Sequence, residues 1–107
     1  MALRPDHARI AALPGDARVI ATAAGGVGAD ISSRYFAAKV GVNEDPVTGA
    51  AHTQLVPFWA ARLGKNVLVC RQVSARGGTL WCERAGERVK IAGHAVRYAR
   101  GEIFLPT

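Results

Sequence analysis

The segment from Val47 to Leu63 constrains this chain more than any other. Ala50, Ala51, Leu55, Val56, Phe58, Trp59, Ala60, Ala61 and Leu63 point around most of a helical circumference, and only His52, Thr53, Gln54 and Arg62 interrupt them. A helix that is apolar nearly all round has no broad solvent face, so protein has to cover it on most sides. Gly64 supplies its stop. Pro57, inside it, has no N–H for the Thr53 carbonyl and should kink or loosen the helix. The chain has 107 residues, the size of one domain, so residues 1–107 are read as a single unit that supplies this cover itself.

The remaining segments read mostly as strands. Pro5 to Leu13 is an exception, a short helix with Pro5 at its first position, stopped by Pro14-Gly15-Asp16. Ala17 to Ala23, mostly apolar, and Asp30 to Phe36 read as strands joined through Ala24-Gly25-Gly26-Val27-Gly28. That glycine run lacks the Lys-Ser/Thr ending of a phosphate loop and reads as a bend. Ala37 to Pro46 reads as a loop. After Gly64, Val67 to Val73, Thr79 to Arg84, Arg88 to Ala92, Ala95 to Ala99 and Glu102 to Leu105 are candidate strands, with turns at Arg76-Gly77-Gly78 and Ala85-Gly86. Arg88-Val89-Lys90-Ile91 alternates as a sheet with one wet face does. The expected fold is α+β, a curved, mostly antiparallel sheet or half-barrel wrapped around one central buried helix.

Composition narrows the function classes. No run approaches the ~20 apolar residues of a membrane span, and Met1 to Asp6 has neither the apolar core nor the cleavage pattern of a signal peptide, so a cytosolic (cytoplasmic) protein with no membrane partner is expected. The net charge is +6, but eleven of the fourteen cations are arginines scattered from Arg4 to Arg100, with no basic stripe interleaved with aromatics. Such a scatter gives solubility or attracts small anions rather than gripping a nucleic-acid backbone. Cys70 and Cys82, without a CxxC or neighbouring His ligands, read as buried apolar residues, and no metal site is expected. Trp59 and Trp81 read as core or wall aromatics.

Chemistry concentrates in Asn43-Glu44-Asp45-Pro46-Val47-Thr48-Gly49-Ala50-Ala51-His52. Asp45 is placed as the N-cap and Pro46 at the first helical position. A helix start presents free N–H groups and partial positive charge, and Gly49 and Ala50 let a ligand approach the backbone closely. This suits a carboxylate or phosphate. The same residues also fit a plain helix cap beside a solvated Glu44. His52, near the same turn, fits a hydrogen-bonded structural role or a catalytic one. His7 and His94 have no companion pattern.

Glu44-Asp45-Pro46-Val47-Thr48-Gly49, followed by small residues and a His, resembles the signature of the phenazine-biosynthesis PhzF-like family. Ser33-Arg34-Tyr35-Phe36-Ala37 and Gly41 precede it at the family's spacing. Trp59 and Leu63-Gly64-Lys65 follow, then Arg71-Gln72-Val73-Ser74 with Arg76-Gly77-Gly78, and closing strands from Gly93 to Glu102. The resemblance covers about residues 30–102. It implies a fold similar to diaminopimelate epimerase, with two pseudo-symmetric halves, each a barrel-like sheet around a central helix, and an active site in the cleft between them. It also implies isomerase or epimerase chemistry by proton transfer on a small carboxylate, with no metal, pyridoxal phosphate or other cofactor.

Carried over by the resemblance, Asp45 matches the active-site aspartate of the family's second half. Gly49 and Ala50 match positions whose backbone N–H groups meet the substrate carboxylate, and Thr48 and His52 flank them in the same binding set. Ala50 stands where a Ser or Thr is frequent. The chain corresponds to the C-terminal half alone. The family's acid/base glutamate and its Gly-His pair belong to the first half, and no segment here supplies them. The expected enzyme therefore needs a missing N-terminal half or a second copy, as a homodimer. The alternative is a non-catalytic small-anion-binding or relict module that keeps the fold.

Overall fold

A computed structural model of the chain describes residues 3–106. Helix α1 (His7–Ala11) is shorter than the Pro5–Leu13 segment expected for it. Asp6 is its N-cap and accepts from the Arg9 N–H at 3.1 Å, which moves Pro5 outside the helix. Strands β1 (Val19–Ala24) and β2 (Ile31–Ala37) pair antiparallel across the glycine-rich bend, from Val19 opposite Phe36 to Ala24 opposite Ile31. A 3-10 turn, Ala38–Val40, follows. Within the segment expected to be a loop, residues Val42–Asp45 form strand β3, antiparallel to β2 with Tyr35 opposite Asp45.

Helix α2 (Gly49–Leu63) closes at Gly64, whose φ of 67° is the left-handed conformation that favours glycine at this position. Strands β4 (Val67–Gln72), β5 (Gly78–Ala85) and β6 (Arg88–Ala92) complete the sheet, in the order β1-β2-β4-β5-β6 with β3 beside β2. The β2–β4 pair is parallel, with Ile31 opposite Cys70 and Ser33 opposite Gln72. The other pairs are antiparallel. Parallel neighbours need a long crossover, and α2 supplies it.

This topology positions the site. A strand has two edges, and β1 runs along the whole of one edge of β2. β3 and β4 therefore share the other, β4 against Ile31 to Ser33 and β3 against Tyr35 to Ala37. The last residues of both, Asp45 and Gln72, meet beside the middle of β2.

The core is Ile31, Ala51, Leu55, Val56, Leu68, Cys70, Leu80 and Cys82, with Ile20, Tyr35, Val47, Trp59 and Val89 packed against it. Both cysteines are free and buried, as the sequence indicated. The Cys82 sulfur and then burial push the Cys70 thiol well up, so it stays an apolar filler. Trp59 closes the core with its indole N–H on Thr22 Oγ1 at 2.9 Å. Trp81 is 41% exposed and stacks edge-on against His94, so it is not a core aromatic.

Two expectations change. Ala51, His52, Leu55, Val56 and Ala60 of α2 are buried, but Thr53, Gln54, Phe58, Ala61 and Leu63 are exposed, because the sheet wraps one side of the helix only. The strands expected at Ala95–Ala99 and Glu102–Leu105 do not form. Residues 93–106 carry no regular element and are exposed, with Val96 at 93% and Tyr98 at 102%. A strand needs a paired edge and an opposing apolar face, and this stretch has neither. The radius of gyration, 16.3 Å, exceeds the ~13 Å of a compact chain of this length because of that extension.

Candidate active site

The site is the turn that joins β3 to α2. Asp45 is the last residue of β3, and the N-cap of α2 is Thr48, in extended conformation at φ −126° and ψ 97°. This corrects the placement of Asp45 as N-cap and Pro46 as first helical residue. The residue before a proline is pushed toward extended conformation, and pairing with Tyr35 holds Asp45 there.

Thr48 does not cap in the usual way, since its hydroxyl makes no hydrogen bond to the first helical turn. It donates instead to Asp45 Oδ2 at 2.5 Å. Gln72, 1% exposed, holds the same turn from β4. Its Oε1 accepts from the Thr48 N–H at 2.7 Å, and its Nε2 donates to the Asp45 carbonyl at 2.9 Å and to Thr48 Oγ1 at 3.0 Å. Ser74 Oγ donates to the Pro46 carbonyl at 2.8 Å and accepts from the Gly77 N–H at 2.9 Å. A Cβ at Gly78 would overlap Val47 Cγ2. Every residue from Asp45 to Thr48 is thus gripped by the segment from Gln72 to Gly78. Gln72 and Ser74 went unnoticed as site residues. The signal available was that Arg71-Gln72-Val73-Ser74 resembles the family's block downstream of the Asp45 motif.

Glu44 is not solvated. Its two oxygens accept from Arg34 Nε at 2.8 Å and Nη2 at 2.7 Å, a bidentate pair that holds its carboxyl below the usual carboxylate range. That pair ties β3 to β2 and leaves Glu44 no free oxygen pair for chemistry.

Gly49 and Ala50 are exposed at the start of α2, where the first N–H groups have no intrahelical partner. A cavity of about 370 Å³ opens beside Ala50, lined also by Asp45 and Thr48, by Tyr35 of β2 and by Arg18, the residue just before β1. Arg18 brings a cation to this cavity that the linear sequence did not reveal. A second depression, of about 580 Å³, lies on the other side of Gly49 between Val47, Arg76, Trp81 and His94. Asp45, Thr48 and Ala50 therefore share one cavity, and Gly49, between Thr48 and Ala50 in the chain, lines the neighbouring depression.

His52 does not share that surface. It is fully buried, and its Nδ1 lies 2.7 Å from the Thr48 carbonyl. A carbonyl only accepts, so Nδ1 carries the proton and donates. Burial pushes the His52 pKa down, against the Thr48 hydrogen bond, which raises it. The neutral ring reaches the site through Thr48.

The family model described as phenazine biosynthesis-like protein, PhzC-PhzF, matches residues 1–101. The chain belongs to this family. It is 55% identical over 104 residues to a protein of Pseudomonas aeruginosa named an uncharacterized isomerase, covering 97% of this chain and 39% of that one. Among solved structures, a PhzF-family phenazine biosynthesis protein of Enterococcus faecalis superposes with a TM-score of 0.83 at 45% identity, over 95% of this chain and 39% of that one. A PhzC/PhzF protein of Clostridium difficile gives 0.82 at 39% identity, over 97% and 40%. The PhzF-like chain thus spans about two-fifths of the length of these relatives. Its α+β architecture, with a mixed six-stranded sheet, is theirs. Among the described residues no helix is long and apolar enough to cross a membrane.

Proposed function

We propose that this chain is an isomerase or epimerase half that moves a proton on a small carboxylate without a cofactor, and that a second half or a second copy completes its site. The observation that carries this reading is the clasped turn, which fixes the Asp45 carboxyl beside the exposed start of α2. A substrate carboxylate laid against the Gly49 and Ala50 N–H groups meets unpartnered donors and the positive end of the helix. As a proton leaves the carbon next to that carboxylate, negative charge spreads onto its oxygens. The same donors then bind the transition state better than the ground state. Asp45 either takes part in the proton transfer or orients the substrate. Arg18, at the rim of the same cavity, favours an anionic ligand.

The opposing acid/base group comes from outside the chain. The exposed side of α2 and the apolar residues Val96, Tyr98, Ile103, Phe104 and Leu105 support such a completion, since a face of this kind is normally covered. The match to only part of each relative equally supports a module that binds small anions without turnover.

Binding is tested by titrating acetate into the ¹⁵N-labelled chain. The amide signals of Gly49 and Ala50 should move together on one saturation curve. Gly49→Val should weaken that curve by about tenfold, the loss of ~1.4 kcal/mol, and Asp45→Ala, which removes a neighbouring charge, should shift it. Saturation that both variants leave unchanged would remove the carboxylate site from this turn.

A further inference from the structure

Gln72 sits where β4 should carry an apolar side chain. Along β4, Leu68, Cys70 and Gln72 are the buried positions, and the first two belong to the core. A primary amide at such a position costs stability unless all its hydrogen-bonding groups find partners. Here they do, and the partners are not interchangeable. The Thr48 N–H can only donate and the Asp45 carbonyl can only accept, so the amide has one possible orientation, with Oε1 toward Thr48 and Nε2 toward Asp45.

That orientation has a consequence for Asp45. Because Nε2 also donates to Thr48 Oγ1, the hydroxyl cannot point its own proton at Gln72. The proton goes to Asp45 Oδ2. One side chain therefore sets the backbone of the turn, the Thr48 rotor and the carboxylate. Ser74 and Gly78 hold only the Pro46 carbonyl and the Val47 side chain.

We propose that Gln72 is the positioning residue of the carboxylate site: its fully bonded, one-way amide fixes the Thr48 hydroxyl and the Asp45 carboxylate relative to the start of α2. The proposal rests on the carboxylate reading of that turn for its functional meaning, and on the hydrogen bonds alone for its geometry. It requires a group that accepts on one atom and donates on the other. An amide does this with two N–H donors; a protonated carboxylic acid, with one O–H, keeps the bonds to the Thr48 N–H and the Asp45 carbonyl and gives up the one to Thr48 Oγ1. A carboxylate cannot, because one of its oxygens would face the Asp45 carbonyl. Methionine fills the volume and does neither.

The test compares the unaltered chain with Gln72→Glu and Gln72→Met. Hydrogen exchange at the Thr48 amide reads the geometry, and acetate-induced shifts at Gly49 and Ala50 read the site. In Gln72→Met, Thr48 exchange should speed up at least about tenfold relative to the β4–β5 amides, as one lost buried hydrogen bond implies, and acetate binding should weaken. Gln72→Glu should keep Thr48 exchange slow, as in the unaltered chain, while the introduced carboxyl is protonated, and should lose that protection once it ionises and one of its oxygens faces the Asp45 carbonyl. The crossover should follow the carbon signal of that introduced carboxyl and lie above the usual carboxylate range. Asp45, whose carbonyl Gln72 bonds, and His52, which bonds the Thr48 carbonyl, are present in the unaltered chain, which serves as the pH control.

A folded Gln72→Met with unchanged Thr48 exchange and acetate shifts would overturn the proposal. So would a Gln72→Glu chain without the pH crossover, a measurement that stands even where the methionine variant does not fold. If the unaltered chain gives no acetate shifts, the carboxylate reading falls, and the Thr48 exchange profile still decides the role of Gln72.

Discussion

Asp45, Glu44 and His52 show how a residue's neighbours decide what it can do. Glu44 and Asp45 are adjacent acids, yet Arg34 takes both oxygens of the first, while the second faces the Thr48 hydroxyl at the edge of a cavity. Asp45, Thr48, Gly49 and Ala50 lie within six residues of one another, so their grouping was legible as a helix start and as part of one signature. The sequence held no sign that Glu44 is committed, since its partner is ten residues away on another strand. Gln72 was equally hidden, because a lone Gln in a strand pattern carries no chemistry until the fold brings it to Asp45.

The same residues make stability depend on pH. Burial holds His52 below the usual histidine range, so the unfolded chain takes up a proton there first. Stability should fall as the pH drops from about 6.5, the ordinary histidine value, toward the folded one. Glu44 is depressed by Arg34, and Asp30 by Lys65 and then the Val69 N–H. Their contributions are present above the ordinary carboxylate range and are lost as the pH falls through the folded values. Urea midpoints should therefore decline in two stages on acidification. His52→Gln should flatten the upper stage and Arg34→Met part of the lower. A midpoint that is constant from pH 7 to 5 in the unaltered chain would contradict the placement of His52.

Among the elements, α2 was the most legible, because its apolar run, its Gly64 stop and its length all agree. β3 was missed because Asn43-Glu44-Asp45 looks like loop chemistry, and the pairing with β2 that makes it a strand is non-local. The parallel β2–β4 pair was missed because the short turns nearby suggested hairpins only. It is this pair that brings Gln72 to Asp45. Gly78 shows how tightly the elements meet. Its backbone is ordinary, so a side chain there costs steric overlap with Val47 alone. Gly78→Ala should lower stability by about 1–3 kcal/mol, and adding Val47→Ala should recover part of that loss in a double-mutant cycle. Gly93→Ala, which meets nothing within 4 Å, is the control. Additive losses at residues 78 and 47 would show that the two do not touch.

At the scale of the whole molecule, the sheet covers one side of α2 and leaves the other exposed. The closing strands expected at Ala95–Ala99 and Glu102–Leu105 were reasonable readings of alternating apolar residues. They stay extended because a strand is not a property of its own residues alone. Half of α2 is bare for the same reason, and the relatives, about two and a half times longer, have the length to cover both. The central claim is that Asp45 and the start of α2 serve proton transfer only when another half faces them. The most direct measurement is deuterium incorporation into a panel of small carboxylates in heavy water, per chain, over a concentration series whose masses are read by light scattering. Incorporation should appear only in associated species, where a second copy faces the site, and vanish in Asp45→Asn. Turnover by the 11.3 kDa monomer, or incorporation that Asp45→Asn leaves unchanged, would contradict it.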